Sequence, residues 1–195
     1  MFFEINKNLL NSLNNLANYK IIEQLVFIFS DLPIFFIPLF LIFMWIRFSI
    51  KKDDENKNSL LYIFYSTVIA VIIAIIIQNI IKFDRPENYI KVTWKLILKH
   101  IPDASFPSDH ATVSFAFLTS LFFNNYKKIW FIILPFFIIM DLSRIIAWIH
   151  WPFDVIVWII IWILSSFLTF KFITKIKLVK KLNFFIIKYM KYIKL

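Results

Sequence analysis

The chain contains no cysteine, no glycine and only three histidines among its 195 residues. Without cysteine there is no disulfide, no thiolate nucleophile and no Cys-based metal site. Without glycine there is no P-loop and no dinucleotide fingerprint, since both need glycine where backbone meets phosphate. His100, His110 and His150 are too few to suggest a metal centre, and neither a metal nor another cofactor is expected. Acids are scarce too: 12 Asp and Glu stand against 22 Lys and Arg, a net charge of +10. In a chain this apolar the excess bears on membrane topology and anionic lipid, and no nucleic-acid partner is expected.

What abounds is hydrocarbon, at 61% of residues. Leu60 to Ile81 runs 22 residues without a charge, more than the roughly 20 that cross a bilayer. The expected fold is all-α: a bundle of about five transmembrane helices in one integral-membrane domain, residues 1–195. In residues 1–24, Phe2, Ile5, Leu9, Leu13 and Leu16 recur at three- and four-residue spacing, as in an amphipathic interfacial helix, with no signal-peptide pattern. The catalytic core is expected at 25–170, with spans near 25–46, 60–81, 108–123, 129–149 and 153–170. Ser30-Asp31 interrupts the first. Residues 171–195 hold eight lysines and no acid and read as a basic cytoplasmic tail on the membrane surface. Five spans put 14 basic residues on one side and 8 on the other. The positive-inside rule assigns the richer side to the cytoplasm of a multi-pass protein in the cytoplasmic membrane.

Three polar clusters fall at the opposite face by span parity. Arg85-Pro86 ends the second span. Ala104-Ser105-Phe106-Pro107-Ser108-Asp109-His110 leads into the third, where Ser108 or Asp109 can cap the helix. Arg144, His150 and Asp154 bridge the fourth and fifth. Ionisable groups at membrane depth are costly and need partners or a task. Arginine grips phosphate oxygens bidentately, and a helix N-terminus favours anions. Two Arg, the Ser108 hydroxyl and that terminus form a cage for a phosphoryl group. Of the two imidazoles, one can attack phosphorus while the other protonates the departing oxygen. If residues 150–154 are helical, Asp154 lies one turn after His150 and can hold its tautomer.

These motifs, Arg85-Pro86, Pro107-Ser108-Asp109-His110 and Ser143-Arg144-x5-His150-x3-Asp154, resemble the three signatures of the type 2 phosphatidic acid phosphatase superfamily. Asp109, where many members have Gly, is similar to the bacterial undecaprenyl-diphosphate phosphatases of that superfamily. The resemblance implies His150 as the nucleophile forming a phosphohistidine, oriented by Asp154. It implies His110 as the acid for the leaving lipid phosphate and then the base for water. Arg85, Ser108, Arg144 and the Asp109 backbone N–H would bind phosphoryl oxygens, without a metal. The superfamily's first motif opens with a Lys seven residues before the Arg, where this chain has Gln78. Lys82, one turn before Arg85, can replace it or can be an ordinary snorkelling interfacial lysine.

Other signals stay open between two readings. Asp31 can contact an active-site Arg or His, or cap its helix with Ser30. Asp141 and Arg144 can pair along one helix face. Lys91, Lys95 and Lys99 share a face that can attract a diphosphate or touch anionic lipid, and His100 reads as a solvated loop residue. The expected activity is hydrolysis of undecaprenyl diphosphate to the monophosphate at the outer face, with polyprenyl diphosphate and membrane lipids as partners. A phosphatase for another lipid phosphate (phosphatidylglycerol phosphate, phosphatidate, lipid A) and a non-catalytic lipid-binding protein are the alternatives.

Overall fold

A computed structural model describes residues 2–86 and 105–193, and every regular element among them is helical. Helix α1 (Phe2–Asn14) continues through a 3-10 turn (Asn15–Asn18) to α2 (Lys20–Phe29) and α3 (Leu32–Lys51). Then come α4 (Asp54–Ile80), α5 (Asp109–Phe123), α6 (Lys127–Ile146), α7 (Pro152–Lys171) and α8 (Lys177–Tyr192). Lys91, Lys95, Lys99 and His100 lie outside the described residues.

The stretch Lys20–Lys51, α4 and α6 are each long and apolar enough to cross a membrane. Their outer faces are lined by side chains such as Phe35, Leu39, Phe43, Ile72, Ile76, Phe131 and Ile132, all exposed as a lipid-facing surface requires. Helix α5 has 15 residues, about 22 Å at 1.5 Å per residue, and is the central post of the bundle. It packs on α3, α4, α6 and α7. Small residues let its neighbours approach: Ala111, Ser114 and Ala116 are fully buried. Phe117 makes edge-on contacts with Phe40 at 5.4 Å and Phe137 at 6.2 Å between ring centroids. The protein is thus a helical membrane bundle with amphipathic helices at both termini.

The break expected in the first span is present, at Ser30-Asp31 between α2 and α3. At one end of the bundle the α3–α4 turn, the α5–α6 turn and α8 meet. Tyr126 donates to Asn56 Oδ1 (2.8 Å), and Asn183 joins Asn58 (2.6 Å) and Tyr65 (2.7 Å). With no glycine to supply left-handed backbone, Lys52 (φ 54°) and Asn125 (φ 65°) take those positions at this end. Trp148 (φ 61°) does so at the other, a conformation costing a bulky residue on the order of 1–3 kcal/mol.

The side that the N-terminal helix turns to the bundle is not its apolar stripe. Asn6, Leu10 and Asn14, spaced by four, face the bundle, while Ile5 and Leu9 are exposed. Leu10 packs with Ile145, Trp148 and Trp151. Asn14 Nδ2 donates to the Ile146 carbonyl (2.7 Å), and Asn6 Oδ1 accepts the Phe153 N–H (3.2 Å). The two amides turn inward because they satisfy backbone groups at the ends of α6 and α7.

Candidate active site

All the clusters expected at one face are there. Segment 147–151 joins α6 to α7 and carries His150, which is almost fully buried. Its Nδ1 lies 2.9 Å from the Ser105 carbonyl oxygen. A carbonyl only accepts, so Nδ1 carries the hydrogen and Nε2 keeps a lone pair. Burial, and after it the Arg144 and Arg85 guanidiniums, hold the His150 imidazole well below its ordinary pKa. This ring is held in its neutral form, with the Nε2 lone pair turned toward Arg144.

Asp154 stands beside the ring without hydrogen-bonding it. Its Oδ2 is 3.9 Å from His150 Nδ1, because α7 begins at Pro152 and leaves His150 outside the helix. The carboxylate instead accepts the Ser105 hydroxyl (2.7 Å) and the Trp151 N–H (3.0 Å). Ser105 is therefore the hinge of the arrangement: its carbonyl fixes the imidazole and its hydroxyl ties that carbonyl's residue to Asp154. Nothing in the local pattern singled out Ser105, although it lies in the stretch that carries Ser108 and His110.

Arg144 ends α6 in the interior. Its Nη2 is 3.3 Å from His150 Nε2, and its Nη1 donates to Asp31 Oδ1 (2.7 Å) and the Ser30 carbonyl (3.3 Å). The same Asp31 oxygen is 3.1 Å from His110 Nε2. Of the two readings of Asp31, the helix cap is not formed and contact with Arg144 and His110 is. The expected Asp141–Arg144 pair is not formed. Arg144 reaches away from its own helix to Asp31, and the buried Asp141 carboxylate has no hydrogen-bond partner.

Arg85, also buried, donates to the Ile149 carbonyl (3.1 Å), and the Trp151 indole donates to the Asp84 carbonyl (3.0 Å). These two contacts fasten the end of the second span to the His150 segment. Ser108 occupies the position before α5, but its hydroxyl makes no cap bond and is buried without a partner. Arg144 Nε is orphaned in the same way. Buried polar atoms without partners are rare, and these two donors, one a hydroxyl and one part of the Arg144 guanidinium, are of the kind an anion would satisfy. Asp109 Oδ1 accepts from the His110 N–H (2.9 Å) and sits 3.1 Å from His110 Nδ1.

Gln78 and Lys82, the candidates at the first motif, are placed differently from each other. Gln78 Nε2 donates to the Pro107 carbonyl (2.8 Å), bracing the turn before Ser108. Residues 81–85 follow the end of α4 and form no helix, so Lys82 is not one helical turn from Arg85, and it is exposed. Among the described residues, no group of three or more His, Asp or Glu side chains is arranged to hold a metal ion.

The PAP2 superfamily model matches residues 59–178 and so takes in Arg85, Ser108, His110, Arg144, His150 and Asp154. The chain belongs to the PAP2 superfamily. Among named PAP2 relatives, it is 25% identical to the undecaprenyl-diphosphatase BcrC of Bacillus subtilis over 86% of this chain and 84% of that one. It is 27% identical to the bacitracin transport permease protein BcrC of Bacillus licheniformis over 87% of this chain and 81% of that protein. An undecaprenyl-diphosphatase of Sulfolobus acidocaldarius is 31% identical over 53% of this chain and 50% of its own length. No solved structure matches the chain significantly.

Proposed function

We propose that this PAP2 protein hydrolyses undecaprenyl diphosphate to undecaprenyl phosphate and inorganic phosphate at the outer face of the cytoplasmic membrane. The observation that supports the chemistry most directly is the neutral, buried His150 whose Nε2 faces Arg144, together with the buried, unpartnered Ser108 hydroxyl at the start of α5. The names borne by the two undecaprenyl-diphosphatase relatives support the substrate. The excess of basic residues at the opposite end supports the sidedness.

In this reading the terminal phosphoryl group enters between Arg85 and Arg144, its oxygens taking bonds from both guanidiniums, the Ser108 hydroxyl and the Asp109 N–H. Nε2 of His150 attacks phosphorus as the anhydride P–O bond breaks. His110 gives a proton to the departing lipid phosphate, leaving a phosphohistidine. The neutral His110 then takes a proton from water, whose oxygen attacks phosphorus and breaks the P–N bond. Phosphate leaves and both imidazoles return to their starting states. Guanidiniums aimed at the oxygens where charge gathers supply the largest share of the barrier lowering.

The experiment is phosphate release by the detergent-purified protein from undecaprenyl diphosphate, phosphatidylglycerol phosphate, phosphatidate and lipid A. The diphosphate should be the preferred substrate, and His150→Ala should lose at least about 1,000-fold. Preference for another lipid would replace the substrate. Equal rates in wild type and His150→Ala would remove the enzyme reading altogether.

A further inference from the structure

We propose that Asp31 is a positioning residue for His110, holding the leaving-group acid loaded and aimed, a role that rests on the phosphatase reading above. Asp31 lies outside residues 59–178, the segment matched by the superfamily model, so its place in the site comes from the fold alone. It occupies the break between α2 and α3, where an aspartate would ordinarily cap the following helix. Its side chain makes no cap bond. It turns inward, and one oxygen serves Arg144 Nη1 (2.7 Å) and His110 Nε2 (3.1 Å) together.

The other ring nitrogen of His110 faces a second carboxylate, Asp109 Oδ1 at 3.1 Å. A carboxylate is an acceptor only, so an imidazole with one at each nitrogen is satisfied by hydrogens on both. That is the form able to give a proton away. The charged groups facing His110 are Asp31 from the α2–α3 break, Asp109 from its own helix, and Arg144 and Asp141 from α6. Arg144 alone would oppose a cationic ring, and Asp31 sits between the two cations as their shared counter-ion. The first span, remote in sequence from every motif, thereby completes the acid.

A leaving-group series tests this. Wild type, Asp31→Asn and Asp31→Glu are compared by kcat/KM, which reports the steps through loss of the leaving group. The substrates are micellar phosphate esters sharing one alkyl tail, from nitrophenyl through phenyl to alkyl phosphate, with undecaprenyl diphosphate alongside. Asp31→Asn should lose on the order of 100-fold on the alkyl ester and less than about fivefold on the nitrophenyl ester, whose oxygen departs without a proton. Asp31→Glu should recover most of the loss, and equal thermal midpoints show that all three proteins are folded. A uniform loss across the series would make Asp31 an anchor for Arg144 alone and overturn the proposal, as would no loss anywhere. Should only the diphosphate be turned over, a loss rescued by Asp31→Glu supports the proposal and an unchanged rate overturns it. Wild type that releases phosphate from none of these compounds sinks the phosphatase reading instead.

Discussion

Nη2 of Arg144 lies 3.3 Å from Nε2 of His150, so the atom proposed to attack phosphorus and a group proposed to hold the phosphoryl oxygens are adjacent before any substrate arrives. A cation there opposes protonation of the ring, adding to the larger effect of burial. Attack needs the neutral imidazole, and activity falls as pH drops through its pKa. Because that pKa is depressed, the acid limb of kcat/KM should lie well below the ordinary histidine value of 6.5. Arg144→Gln should move the limb upward in pH while lowering kcat/KM by about 100- to 1,000-fold, measured by pH–rate profiles of both proteins. Stability carries the same sign. The unfolded chain takes this proton near pH 6.5 and the folded chain does not, so stability is complete above that pH and declines below it.

The link from Asp154 to the ring runs through Ser105, whose hydroxyl donates to the carboxylate at 2.7 Å while its carbonyl accepts from Nδ1 at 2.9 Å. Asp154→Asn should slow turnover by roughly 10- to 100-fold and Ser105→Ala by about 10-fold, as supporting partners of a functional histidine do. The double variant should be little worse than Asp154→Asn alone. Two groups acting in one chain of contacts are non-additive, whereas independent effects would multiply. Single and double kcat values decide between these outcomes.

How much of this site is legible in the sequence follows from how each residue is placed. Arg85, Ser108, His110, Arg144, His150 and Asp154 sit where hydrophobic spans begin and end, so span length and parity bring them to one face without coordinates. The break at Ser30-Asp31 is legible for the same reason, a polar pair inside an apolar run. Which of its two readings holds is not, since that depends on Arg144 reaching 113 residues back along the chain instead of three to Asp141. Ser105 is hidden more deeply: its task is carried half by a backbone carbonyl, which every residue possesses. Helix α1 misleads through composition. Its apolar Ile5 and Leu9 are exposed, while Asn6 and Asn14 are buried because their amides bond backbone groups of α7 and α6.

Gln78 and Lys82 are the two candidates for the cation missing from the first motif, and the geometry separates them. Lys82 is exposed on the non-helical stretch after α4, so Lys82→Met should leave kcat/KM within about twofold of wild type, the usual latitude of a surface change. Gln78 donates to the Pro107 carbonyl at 2.8 Å, directly before Ser108 and the start of α5. Gln78→Leu keeps the bulk and leaves that carbonyl without its donor, at a cost of about 1–3 kcal/mol. Turnover and the thermal midpoint should fall together in Gln78→Leu. A Lys82→Met protein with markedly raised KM would show that the lysine reaches substrate after all.

Asn14 tests whether α1 belongs to the catalytic unit or merely rests on it. Its amide donates to the Ile146 carbonyl at 2.7 Å, at the end of α6 and two residues after Arg144. Leu10, one turn earlier, is packed against Trp148, which holds left-handed backbone (φ 61°) without being glycine. Strain of that kind persists only where surrounding contacts impose it. Removing the contact should therefore let the 147–151 segment relax and carry His150 away from Arg144. Asn14→Ala is expected to cost about 1–2 kcal/mol of stability for the orphaned carbonyl. It should also reduce kcat several-fold at temperatures far below the thermal midpoint, because His150, the proposed nucleophile, is no longer held. Asn8→Ala supplies the control, since the Asn8 side chain is exposed on the same helix and should change neither quantity. Loss of stability in Asn14→Ala with kcat intact would place α1 outside the site and make it a structural brace only.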